Sequence, residues 1–201
     1  MVETPRDEII QLAGSIRALE RQLEVALAKR RIELNYKVHD GVIHFEQAVL
    51  ARHRLLKARL LRYILGARPA MILSAPAIYA LIIPIVLLDL FVAFYQTVCF
   101  PVYGIPRVRR SDYFAFDRER LAYLNLIEKI NCGYCAYANG LLAYVREIAS
   151  RTEEYWCPIK HARRVLGVHP RYGSFVDYGD GDAYRHDLER LRTEARTEQP
   201  N

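Results

Sequence analysis

Three cysteines and a histidine in the C-terminal half carry the most specific chemical pattern in this chain. Cys132 and Cys135 have two residues between them, and Cys157 and His161 follow with three between them, giving C-x2-C-x21-C-x3-H. Tetrahedral zinc takes thiolate and imidazole ligands, often as two close pairs joined by a loop. The spacing therefore points to a structural Cys3His zinc site with Cys132, Cys135, Cys157 and His161 as ligands. Residues three apart on a helix share a face, so the first two thiols point the same way, in line with Asn125, Glu128 and Asn139. Glu128 and Asn139 are expected to donate or accept hydrogen bonds around the ligands. Gly133 allows the local break such a centre needs in a helix, Pro158 would orient the chain after Cys157, and Trp156 would shield the site.

The same residues admit other chemistry. Three cysteines with His161 or Glu128 could hold an iron–sulfur cluster, although no closely spaced cysteine run favours one. Cys132 and Cys135 could act as a redox dithiol, but no βαβ pattern surrounds them and a mid-helix position lacks the N-terminal amides that acidify thiols. All three could also be small buried hydrophobes. Covalent haem is excluded because Ala136, not His, follows Cys135. Cys99 lies in apolar sequence and reads as packing. His39, Asp40, His44 and Glu46 cluster without ligand spacing, and Asp177, Asp180 and Asp182 do not match a calcium loop. Glu153 and Glu154 read as solvated carboxylates. No Walker A, G-x-G-x-x-G, G-x-S-x-G, H-E-x-x-H or carboxylate-bridged di-iron E-x-x-H motif is present.

The elements that would position these residues follow from an uneven distribution of charge. Of a net charge of +6, residues 1–68 hold 13 basic and 8 acidic side chains, whereas residues 69–106 hold Asp89 alone. Apolar residues at Ile9, Leu12, Ile16, Leu19, Leu23 and Ala26 form a short heptad seam on a helix over 5–34, capped by Thr4 with Pro5 in its first turn. A seam of under three heptads seeks a helix of the same chain or of a second copy. After a turn at Asp40-Gly41, a second helix is expected over 42–68. Its stretch from Gln47 to Arg68 carries six basic residues and no acid, interleaved with leucines. A basic helix with an apolar face, running into apolar sequence, suits a surface of anionic lipid headgroups. Nucleic acid is disfavoured, because no recognition motif accompanies the basic patch.

Residues 69–106 are the expected membrane segment. The 19 residues AMILSAPAIYALIIPIVLL carry no charge, close to the roughly 20 needed to cross hydrocarbon. The whole segment is long for one crossing and short for two, and Pro76 and Pro84 invite a bend. Basic residues stand at both ends, including Arg107, Arg109 and Arg110, and positive flanks stay in the cytoplasm. The favoured topology is a helical hairpin, re-entrant or of two short spans, with both termini cytoplasmic; a single span is second. Asp89 needs a partner or a shallow position. Beyond it, a tyrosine-rich helix is expected over 114–150, then a loop over 167–181 and an exposed charged helix over 182–198.

Taken together, the fold expected is all-α, a membrane-embedded hairpin flanked by amphipathic and cytosolic helices, in four parts: 1–68, 69–106, 107–181 and 182–201. The expected function is a membrane-anchored scaffold or regulator with the zinc site. The rival is a membrane-bound redox protein or thiol oxidoreductase using the dithiol or a cluster.

Overall fold

The leucine and isoleucine seam near the N-terminus lies on one continuous helix, α1 (Pro5–Glu33), in the computed structural model, which describes residues 5–34, 36–39, 42–45 and 47–197. Leu12, Ile16, Leu19 and Leu23 are each 57–63% exposed, so α1 presents its seam outward. Next come two short strands, β1 (Tyr36–His39) and β2 (Val42–Phe45), paired antiparallel with Tyr36 opposite Phe45 and His39 opposite Val42. This corrects the expected helix from residue 42; every other regular element described is helical, as the all-α expectation has it. An Asp-Gly pair flanked by β-branched and aromatic residues is a hairpin signal before it is a helix start. The basic stretch is divided too, into α2 (Gln47–Leu55) and α3 (Leu60–Leu65). Unbroken positive charge offers no i,i+4 ion pairs to carry one helix through. His53 on α2 packs edge-on against Phe45 and Tyr123, with ring centroids 5.2 and 5.0 Å away.

The chain forms two compact units: Met1–Arg59 with Glu119–Asn125, and Leu60–Arg118 with Leu126–Asn201. The second unit contains the apolar segment. Its residues build α4 (Pro69–Ala80) and α5 (Ile82–Tyr103), joined by Leu81 alone. Pro84 explains the joint: it has no N–H for the Ala80 carbonyl, and its ring crowds that carbonyl. Leu81 stays in the right-handed helical region (φ −63°, ψ −15°). The chain therefore does not turn back here, and the expected hairpin within 69–106 is not formed. Pro69–Tyr103 is instead one helical run of 35 residues, with a mean hydropathy of 2.6 over its most apolar window, long and apolar enough to cross a membrane.

Gly104 ends α5 in the left-handed conformation (φ 72°), which a side chain would disfavour. The chain then runs back along α5. Ile105 and Val108 are buried with Phe100, and the Gln96 side chain ties the two together: its Oε1 accepts the Val108 N–H at 2.9 Å and its Nε2 donates to the Tyr144 hydroxyl at 2.8 Å. Only after this return does α6 (Leu126–Trp156) begin, twelve residues later than expected. The aromatic residues before it pack rather than wind: Tyr113 and Phe114 lie 6.0 and 6.1 Å from the Tyr144 ring. The helix α6 runs parallel to α4 and α5. Tyr79 meets Asn131, Gln96 meets Tyr144 and Tyr95 meets Thr152, at sequence separations of 52, 48 and 57. Leu141, Tyr144 and Ile148, three of the expected tyrosine-rich stripe, form the core with Phe100, Ile105 and Val108.

The last helix, α7 (Gly181–Thr197), is capped by Asp180, whose Oδ1 accepts the Ala183 N–H at 2.9 Å. It is not simply solvent-exposed. Leu191 and Ala195 are 0% and 2% exposed. Arg192 and Arg196 reach α6 and α5: Arg192 Nε donates to the Tyr155 carbonyl at 3.2 Å, and Arg196 donates to the Tyr103 carbonyl at 3.1 Å and the Tyr155 hydroxyl at 3.0 Å.

Candidate functional site

The C-x2-C pair sits where the sequence puts it, on consecutive turns of α6. Cys132 is half-buried, Cys135 is exposed, and all four cysteines are free thiols. The second pair does not join them. The helix α6 runs through Gly133 without a break and ends at Trp156, immediately before Cys157. Twenty-two residues separate Cys135 from Cys157, and at 1.5 Å per residue that places them about 33 Å apart along the axis. A zinc ion or cluster on Cys132, Cys135, Cys157 and His161 together therefore has no geometric support within one chain. Among the described residues no three His, Cys, Asp or Glu side chains gather as metal ligands.

The neighbours assigned to that centre have other partners. The Asn139 side chain donates to the carbonyl of Cys135 at 2.9 Å, within its own helix. Trp156 packs edge-on against Tyr103 and Tyr155, each 5.3 Å away. Pro158 accepts the Val176 N–H at 2.9 Å. His161 is exposed, its N–H donating to the Tyr172 hydroxyl at 2.6 Å and its ring stacked on Tyr172. The remaining acidic candidates also have structural jobs. Asp177 pairs with Lys160 at 2.8 Å and Glu153 with His169 at 3.0 Å. Asp40 and Glu46 lie outside the described residues.

Two polar clusters do stand out, and both involve residues the sequence had flagged for other reasons. The first answers the cost of Asp89. Arg110, from the returning segment, grips the Asp89 carboxylate with both guanidinium nitrogens, one at 2.9 Å, and the Tyr137 hydroxyl donates to it at 2.7 Å. The guanidinium also lies over the Phe114 ring, 4.6 Å from its centroid. The hydrogen bond to Asp89 raises the Arg110 pKa further. Burial, then the Asp89 hydrogen bond, pushes the Tyr137 phenol up to about 12, so it stays a donor. A lone acid in an apolar run calls for such a partner, and the nearest basic flank supplied it. Replacing Asp89 with leucine is expected to cost about 1–2 kcal/mol, the low end for a charged hydrogen bond because Arg110 is half exposed. Thermal unfolding in detergent, with tryptic cleavage at Arg107–Arg110 as a local probe, measures it; an unchanged midpoint and cleavage rate would refute a pinning role.

The second cluster lies on the C-terminal half of α6. Glu147 Oε1 accepts Arg151 Nε and Arg171 Nη2, both at 2.8 Å, and its Oε2 accepts Arg171 Nη1 at 3.0 Å. Arg171 also reaches Glu154 at 3.3 Å and the Ser150 hydroxyl at 2.9 Å. Burial pushes the Glu147 pKa up, but the two guanidinium groups outweigh it and the net displacement is downward. Periodicity alone does not reveal this cluster, because Arg171 comes from a loop. Both clusters fix chain to chain.

The apolar surface is the remaining feature. The helix α4 has no buried residue, although it is apolar around its whole circumference. On α5 only one side is covered. Comparison with protein-family models, curated proteins and solved structures finds no match for this chain.

Proposed function

We propose that this chain is a membrane-attached scaffold or regulatory protein, held to a lipid bilayer by α4 and α5 and presenting its polar helices to solvent. The carrying observation is α4. Met71, Ile72, Leu73 and Ile78 are 63%, 50%, 80% and 51% exposed around one short helix. A helix apolar on every side needs apolar surroundings, and the chain's own body leaves it uncovered. The basic residues from Arg52 to Arg68 precede it directly, and each near an anionic surface adds about 1 kcal/mol of attraction. The scaffold role draws on the outward seam of α1, which suits a helical partner or a second copy.

Flotation with vesicles tests the membrane reading. Purified chain should rise with vesicles containing phosphatidylserine, and several-fold less with neutral ones at physiological salt. The double substitution Leu73→Asp, Ile78→Asp should weaken flotation several-fold while leaving helicity unchanged. Wild-type protein remaining at the bottom of the gradient, with either vesicle, would sink the proposal.

A further inference from the structure

The geometry points to an in-plane attachment: α5 lies along one leaflet, seated by its uncovered side, instead of crossing the bilayer. This rests on the membrane reading above and adds its orientation. A helix of 35 residues spans about 52 Å, ample against a hydrocarbon core of about 30 Å. Length is not the obstacle. What decides is what stands beside the helix.

Charged groups accompany it along most of its length, most of them on the covered side. At the near end, Asn131 accepts the Tyr79 hydroxyl, and Glu128 and Lys129 lie within one turn of Asn131 on α6. Further along, Arg110 holds Asp89, and Arg107 donates to the Thr97 carbonyl at 3.2 Å. Arg151 reaches the Pro106 carbonyl at 3.0 Å, beside the end of α5. At the far end Arg196 donates to the Tyr103 carbonyl at 3.1 Å. A transverse helix would carry much of this set into hydrocarbon, at several kcal/mol for each charge not neutralised. The part without such neighbours, from Pro69 to about Ile78, is about 15 Å long and cannot cross alone.

The opposite side of α5 has the reverse character. Ile83, Leu87, Leu90, Phe94, Val98 and Val102 recur every three or four residues and are 47–76% exposed. Together they make a charge-free stripe about 29 Å long. The covered side of α5 packs through Ile85, Val92 and Phe100 into an apolar core, and the charged groups lie on the body beyond it; a body polar on one side with a bare apolar stripe on the other suits the lipid–water boundary. The aromatic cluster of Tyr103, Tyr155 and Trp156, with Arg196 beside it, suits the same boundary. The occupant of the stripe is therefore a lipid leaflet.

Depth measurement on the full chain decides it. Tryptophan is placed singly at Ile83→Trp, Leu90→Trp and Val98→Trp in a Trp156→Phe background. Quenching is read with lipids brominated at graded acyl positions, in phosphatidylserine-containing vesicles. In-plane seating predicts one shared depth, within about 5 Å, at all three positions. A crossing helix separates the first and last by about 22 Å, and that result overturns the inference while leaving membrane attachment intact. Should the Trp156→Phe chain fail to fold, epitope tags at both ends of the otherwise unaltered chain serve instead: both accessible outside sealed vesicles supports the seating, and one protected overturns it. Failure to float removes the membrane reading itself. Tryptophans shielded without vesicles, in a chain that sediments as a dimer, assign the stripe to a second copy and overturn the inference.

Discussion

Replacing Glu147 with alanine is expected to destabilise the second unit by about 3 kcal/mol, the lower end for removing one partner of a buried ionic group. Arg151 and Arg171 have side chains only 7% and 13% exposed, and both lose their shared acceptor. Glu154 still reaches Arg171, which holds the loss near the lower bound. The loop from Cys157 to Val176 should loosen first, because Arg171 ties it to α6 alongside the His169–Glu153 pair and the Arg146 bonds to the Gly167 and Val168 carbonyls. Chemical denaturation gives the global cost, and proteolysis after Arg163 and Arg164 gives the local one. A change under about 0.5 kcal/mol would show the cluster to be energetically idle. The same cluster sets a pH dependence. The folded-state pKa of Glu147 lies below its unfolded value, so its stabilisation is complete above the ordinary glutamate range and is lost as pH falls through the lower, folded value. Glu147→Gln should flatten that part of the acid-unfolding curve.

The second large effect is steric. Gly140 sits on α6 where the returning segment crosses it. A methyl group there would come within 2.7 Å of the Tyr113 carbonyl oxygen and 3.1 Å of the Phe114 ring. The oxygen belongs to backbone and cannot swing aside, so Gly140→Ala should cost about 1–3 kcal/mol, despite alanine's better helix propensity. Because Phe114 lies under Arg110, the substitution should also speed tryptic cleavage after Arg110. Gly14 on α1 provides the control, since nothing lies within 4 Å of a methyl group there and helix propensity alone makes Gly14→Ala mildly stabilising. Equal effects at the two glycines would contradict the close crossing.

How far the sequence led is clear from particular residues. Helix α1 and the apolar run were legible because their periodicity and composition extend over many turns. Helix α7 is legible too, but the burial of Leu191 and Ala195 is not, because charged residues surround them. Asp40 and Gly41 lie outside the described residues, and the strands on either side are not legible in the sequence, because four-residue strands carry too little alternation to compete with a neighbouring helix pattern. The start of α6 was placed early because Tyr113, Phe114 and Phe116 imitate a helical stripe while serving a different contact. The thiol site failed for a related reason. Ligand spacing encodes proximity only where the chain folds back between the pairs, and here α6 fills the interval. The partner of Asp89 lay in plain view at Arg110, but which flank turns back along the helix is a tertiary fact.

The parallel course of α5 and α6 has a consequence for biosynthesis. Asp89 and Gln96 leave the ribosome 48 residues before Tyr137 and Tyr144, which complete their hydrogen bonding. At about 5–20 residues per second, that interval lasts roughly 2–10 s. During those seconds the nascent chain displays its greasiest helix with two polar groups incompletely matched.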